Sequence, residues 1–271
     1  MATAQALSNR LTIRLEVVPG RSVADRIARA ADFGFAGIAF PGRFRAEFGE
    51  EALREIGSFA LPITTVSLGF EGSLCSPDPA QRQICRDSLC ELFDFTAALG
   101  ARSLNMPPVL KMDNPDRYPS GSEAVQDALL AEQLPALGDE AAARGIELLI
   151  EPVNRRETDY LTSVIHAAKI CEAVGHPAIG LTPDFYHMQF EEEDIPAALS
   201  EASTWIRHIH VAEHNRVEPG VGTLNFRPGF AALKKSGYGG LVEIECRSLS
   251  GEASEVLPRS IEYLSHEWES A

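Results

Sequence analysis

The sequence predicts an α/β fold closed into a (β/α)8 barrel, with residues 1–271 forming one domain. Three observations predict it. The length of 271 residues suits a barrel, which typically takes about 250. Short apolar runs alternate with helix-period patterns eight times, the order that builds a parallel sheet with helices packed outside it. Four polar residues, Glu151, Asp184, His210 and Glu245, close the runs GIELLIE, AIGLTPD, IRHIH and LVEIE, at gaps of 33, 26 and 35 residues. Each gap is about one strand-plus-helix repeat, and in a barrel successive strand C-termini open on one mouth.

The elements follow in order. A strand over 11–17 (LTIRLEV) leads to a helix over 22–33, a strand over 36–41 and a helix over 45–58. The third strand, 62–68, precedes a helix over 79–99 whose spacing places Ile84, Leu89, Leu92 and Phe93 on one face. After the fourth strand, 102–107, the loop to residue 120 (PPVLKMDNPDRYPS) reads equally as a lid over the mouth or as a solvated connector. Helix 121–144, strand 146–151, helix 159–174 and strand 178–184 come next. The acidic run Glu191–Asp194 opens a helix over 193–203, where negative charge suits the N-terminal dipole. Strand 205–211, helix 226–236, strand 240–245 and helix 253–267 complete eight repeats. Several strands are near-continuous apolar runs, as burial on both faces requires.

Composition narrows the function. The formal charge of −15 opposes nucleic acid as a partner, though a local basic pocket still admits a small phosphorylated molecule. There is no run of 18 apolar residues and no signal-peptide pattern at MATAQALSNR, so we expect a cytoplasmic protein with no membrane partner. The five cysteines, Cys75, Cys85, Cys90, Cys171 and Cys246, are odd in number and form no CxxC pair, which predicts reduced thiols; Cys246 reads as a small apolar filler.

The four strand-end residues carry the chemistry. Three carboxylates and one imidazole at one mouth suit a hard divalent cation such as Mn²⁺, Mg²⁺ or Co²⁺, and zinc is less favoured because no cysteine joins them. Taken singly, Glu151 and Glu245 also read as arginine partners, Asp184 as the cap of a following turn and His210 as a core histidine. His208, two residues before His210, faces the same side one layer deeper, orienting the site or packing beneath it.

The flanks of these residues carry a resemblance. Glu151–Glu157 reads EPVNRRE, Asp184–Met188 reads DFYHM, His208–His210 reads HIH, Asn215–Arg216 is followed by Pro219–Gly222, and Glu245 ends the last strand. In this order they resemble the sugar isomerase/epimerase family of xylose-isomerase-like barrels, nearest to ketose 3-epimerases of the D-tagatose and D-psicose type. The C-terminal half carries the match, and the N-terminal half shares only the strand–helix rhythm. The resemblance implies that Glu151, Asp184, His210 and Glu245 bind a metal ion, Mn²⁺ before Mg²⁺ or Co²⁺, and that Glu157, His187 and Arg216 hold a sugar. It implies a homodimer or homotetramer. The reaction it implies is proton abstraction beside a carbonyl through a metal-stabilised enediolate, with Glu151 and Glu245 on opposite faces, one taking the proton and the other returning one. Isomerisation returns the proton to the neighbouring carbon, so the same residues serve both outcomes.

Two departures concern substrate. Arg156 stands where these epimerases often carry an aromatic, and Phe226 comes four residues after Gly222 where an aromatic follows P-G-x-G. Arg155–Arg156 suits an acidic or phosphorylated sugar, or is surface charge. Three other readings stand beside the epimerase. A lyase, dehydratase or deglycosidase acting on an oxo-sugar, oxo-glycoside or inosose uses the same first step. Apurinic endonucleases share the barrel, but seven histidines and the −15 charge oppose phosphodiester cleavage. A non-catalytic sugar binder would have no need of Glu151 and Glu245.

Overall fold

The structure, a computed structural model, describes residues 6–110 and 121–271. Among these, eight strands are β1 Leu11–Arg14, β2 Gly37–Pro41, β3 Ile63–Ser67, β4 Ser103–Met106, β5 Glu147–Ile150, β6 Ile179–Leu181, β7 His208–Val211 and β8 Leu241–Ile244. The helices are α1 Val23–Phe33, α2 Arg45–Glu55, α3 Pro79–Ala98, α4 Glu123–Ala143, α5 Val164–Val174, α6 Phe185–Glu191, α7 Ile195–Glu201, α8 Arg227–Lys235 and α9 Ala253–Glu269. All strand pairings are parallel, in the order β6-β5-β4-β3-β2-β1-β8-β7. The two ends of that order meet through the isolated bridges Leu181↔Ile206 and Asp184↔His210, so the barrel is nearly closed, with a seam between β6 and β7. This is the (β/α)8 architecture that the alternation predicts.

Every strand is shorter than its apolar run, for local reasons. β6 stops at Leu181 because Pro183, two residues on, has no N–H to give the ladder; its carbonyl still accepts from His210 N at 3.0 Å. β1 ends at Arg14 because Leu15–Val17 tightens into a 3-10 turn. Helix starts are set by side-chain caps: Ser22, Asp78, Ser163, Asp184 and Asp194 each accept a backbone N–H of the first turn, worth about 1 kcal/mol apiece.

Three expectations are revised. On α3 the buried face is Cys85, Leu89, Leu92, Phe93 and Thr96, while Ile84 is 41% exposed, one position off the stripe. The acidic run does not act together. Asp194 alone caps α7, Glu191 forms a fork with Arg155, and Glu192 accepts Val164 N–H at the start of α5. The sequence reading also lacks α6, a seven-residue helix whose Phe185, Tyr186, His187 and Met188 are buried. Its length gives no helical period to detect, although Asp184 is its cap, the role the sequence offers for it singly. The loop between 111 and 120 lies outside the described residues.

The core fills the barrel and the strand–helix layer. Phe226 belongs to it, fully buried and packed on Phe185 and Phe230. Cys246 is buried, burial pushes its thiol up to about 12, and none of the five cysteines is bridged. Among the described residues no helix is long and apolar enough to cross a membrane.

Candidate metal centre

Backbone register brings the four strand-end residues together. Glu151 follows β5, with its N–H on Met106 O (3.1 Å), and Glu245 follows β8, with its N–H on Val211 O (3.0 Å). Asp184 and His210 face each other across the seam. Each offers one ligand atom, and these atoms lie within 4.8 Å of one another. All four residues are buried, with no more than 3% exposure. Three acids so close and so dry are costly unless cations or protons compensate them. The donor set, three carboxylate oxygens and one imidazole nitrogen, fits a divalent cation that prefers oxygen.

Protein groups hold these charges as well. Both oxygens of Glu245 are engaged, Oε1 by Arg14 Nη1 at 3.0 Å and Oε2 by Arg216 Nη2 at 2.8 Å. Arg216 also donates to Asp184 Oδ2, while Asp184 Oδ1 accepts Tyr186 N–H at 2.8 Å as the cap of α6. Asn105 Nδ2 donates to Glu151 Oε2 at 2.6 Å. His210 turns Nδ1 toward Glu151 Oε1 (3.1 Å) and Glu245 Oε2 (3.4 Å).

The two glutamates are thereby made unlike. Burial pushes Glu151 up to about 7, with the Glu245 charge adding to it. Burial also works against ionised Glu245, but the Arg216 guanidinium, His210 and Arg14 outweigh it and hold this carboxyl well below the usual range. His210 is held well above an ordinary imidazole, because Glu245, Glu243 and Glu151 together outweigh its burial.

Three residues were expected on the sugar side. Arg216 reaches the centre from a tight turn. Its N–H bonds Glu213 O at 2.8 Å, its φ is +64°, and its guanidinium lies 4.2 Å over the Tyr186 ring. A left-handed arginine is uncommon and costs backbone strain, which the two carboxylate contacts offset. His187, on α6, accepts the Asn154 N–H at Nδ1 (3.0 Å), so its proton sits on Nε2, 3.5 Å from Asp184 Oδ2. Burial and Arg216 keep that ring neutral. Glu157 pairs with Arg247 at 2.9 Å, and Arg247 N–H donates to Arg216 O at 2.7 Å. Arg155 is spent on Glu191, and Arg156 lies 4.9 Å over the Phe190 ring.

Arg14, Asn105 and Asn154 were missed as site residues. Their signal was present, since Arg14 interrupts LTIRLEV and Asn105 interrupts RSLNMP near a strand C-terminus, where a buried polar residue needs a partner.

A xylose isomerase-like TIM barrel model matches residues 27–266. The chain belongs to that family. Among the relatives of this xylose isomerase-like barrel is a ketose 3-epimerase of Arthrobacter globiformis, 30% identical over 85% of this chain and 79% of the relative. A 3-dehydro-D-guloside 4-epimerase of Escherichia coli K12 is 24% identical over 90% and 94%. Among solved structures, a 3-keto-D-glucoside 4-epimerase from E. coli superposes with a TM-score of 0.85 at 22% identity, covering 95% of this chain and 99% of that one, a likeness that speaks to fold. The family membership and the named relatives support an isomerase-type enzyme.

Proposed function

We propose that this barrel is a divalent-metal-dependent sugar epimerase or isomerase. Glu151, Asp184, His210 and Glu245 would hold the cation, Mn²⁺ before Mg²⁺ or Co²⁺, and Glu151 and Glu245 would exchange the proton beside a carbonyl. The observation that carries the reading is the convergence of two strand-end glutamates on one buried centre, with Asp184 and His210 completing it. The sugar epimerases among its relatives support the substrate class.

A bound divalent cation supplies Lewis-acid polarisation of a carbonyl and its neighbouring hydroxyl. The protein supplies the rest. Glu151 and Glu245 are the pair that would take and return the proton, Glu245 oriented by Arg14 and Arg216 and Glu151 by Asn105 and His210. Arg216 presents N–H donors where negative charge develops on a ketose oxygen. Neutral His187 would present Nε2–H to a hydroxyl, and Glu157 would help hold the sugar. Burial keeps water from competing for the carbanion.

Incubation in D₂O with Mg²⁺, read by proton NMR, tests this on a panel of free and phosphorylated ketoses and a 3-oxo-glucoside. Deuterium beside the carbonyl with a new stereoisomer establishes epimerisation, and an aldose product establishes isomerisation. A released aglycone or water would move the chain to elimination. No exchange in a cation-loaded protein would overturn proton transfer.

The pH dependence of loading has a definite sign. In the metal-free protein Glu151 titrates about 7, against 4.5 ordinarily, and His210 stays protonated beyond 6.5. A cation must displace both protons. Its affinity therefore climbs as pH rises through about 7, and binding at neutral pH releases protons. Titration calorimetry in buffers of different ionisation enthalpy measures that release. The raised Glu151 also means that the metal-free fold loses stability as pH rises from 4.5 to about 7, because the folded state holds a proton that the unfolded chain has shed.

A further inference from the structure

Beneath the four donors lies a second buried layer that the proposed reaction does not touch. β7 and β8 run in register, His210 beside Glu243 and His208 beside Leu241. Because side chains alternate along a strand, His208 and Glu243 point inward one step below His210 and Glu245. Glu243 is fully buried, and its Oε2 accepts from His208 Nε2 at 2.9 Å. The same Oε2 stands 3.6 Å from His210 Nε2, and that nitrogen, also fully buried, has no hydrogen-bond partner. Thr12, register-opposite Glu243 on β1, has no bond from its hydroxyl either.

Burying a carboxylate here is expensive and adds nothing to packing that a leucine would not. Its position answers a different need. A ligating imidazole must keep its proton off the ligating nitrogen, and a carboxylate on the opposite ring nitrogen enforces that tautomer. His210 aims Nδ1 at Glu151 and Glu245. With Nδ1 given to a cation, only Nε2 would remain to carry the proton, and Glu243 is the acceptor within reach of a small ring rotation.

We infer that Glu243, anchored by His208, is a positioning residue that fixes His210 with Nε2 protonated and Nδ1 facing the cation site. The inference rests on the metal reading above. A rival use of the same atoms is a second cation held by His208, His210 and Glu243, whose ligand atoms also lie within 4.8 Å of one another.

Mn²⁺ titration of the full-length wild type, Glu243→Gln and Glu243→Leu separates these. We expect one Mn²⁺ per wild-type chain. Glu243→Gln, which keeps an acceptor but no charge, should bind about tenfold more weakly, and Glu243→Leu up to about 100-fold more weakly. Long-range ¹H–¹⁵N spectra of the Mg²⁺-loaded protein should show His210 protonated at Nε2 in wild type and a mixed tautomer in Glu243→Leu. Should Glu243→Leu not fold, Glu243→Gln and His208→Gln carry the test. Mn²⁺ affinities within about twofold of wild type, with the His210 tautomer unchanged, would overturn the inference. So would two Mn²⁺ per wild-type chain falling to one in Glu243→Gln. A wild type that takes up no Mn²⁺ would sink the metal reading itself, and this inference with it.

Discussion

Glu245→Gln is expected to lower solvent-deuterium exchange by about 10²–10⁴, the range for losing a positioned acid or base, with KM little changed. Its neighbours make the substitution sharper than a simple loss of a base. Arg14 and Arg216 each donate to one oxygen of this carboxylate. The amide keeps an acceptor but removes the anion from between two buried guanidiniums. Breaking a buried ion pair on one side costs about 3–5 kcal/mol. The variant should therefore be less stable than wild type when both are free of metal, as measured by urea denaturation in chelator. Near-normal exchange in cation-loaded Glu245→Gln would remove Glu245 from proton transfer and leave it a ligand.

Arg216→Leu is expected to move stability and cation affinity in opposite directions. In the structure Arg216 occupies the carboxylate oxygens of Asp184 and Glu245, two of the four donors that would hold the cation. Without the guanidinium, three acids share a dry pocket, and the metal-free fold should lose about 3–5 kcal/mol. The same deletion removes the cation's competitor, so Mn²⁺ should bind more tightly to Arg216→Leu than to wild type, while turnover falls for want of the donor. Calorimetry on metal-stripped protein gives the first two quantities and the exchange assay the third. Weaker Mn²⁺ binding in the variant would show that Arg216 assists loading and does not oppose it.

How much of this was legible in the sequence differs from residue to residue. The alternation of apolar runs and helical periods carries the barrel, because burial on both faces forces the strands to be apolar and the connections to be amphipathic. Glu151, Asp184, His210 and Glu245 stand out because a charged end to such a run has no structural excuse that repeats four times. What the sequence does not show is pairing between repeats. Arg14 lies 231 positions from Glu245 and Asn105 lies 46 from Glu151, and one chain carries no mark of such contacts. Strand ends were overextended where an apolar residue continues into a turn, as at Leu15. The helix α6 is illegible beyond its cap, Asp184, because seven residues carry no helical period. Glu157 pairs with Arg247, whose N–H in turn donates to Arg216 O, a link the sequence does not mark.

The seam between β6 and β7 has a kinetic consequence. Seven of the eight neighbouring strand pairs are ladders, with one register shift between β2 and β3, and the eighth is two bridges, one of them between Asp184 and His210. A ring with one weak joint opens there first, so the earliest unfolding excursions should begin by parting β6 from β7 and should expose the amides of Leu181, Arg207 and His210 to exchange with water. Asp184 and His210 stand on opposite sides of that joint. An ion gripped by both would act as a clasp, slowing the opening and protecting those amides far more than amides elsewhere in the ring, so that chelation would shorten the protein's lifetime before it changed its shape.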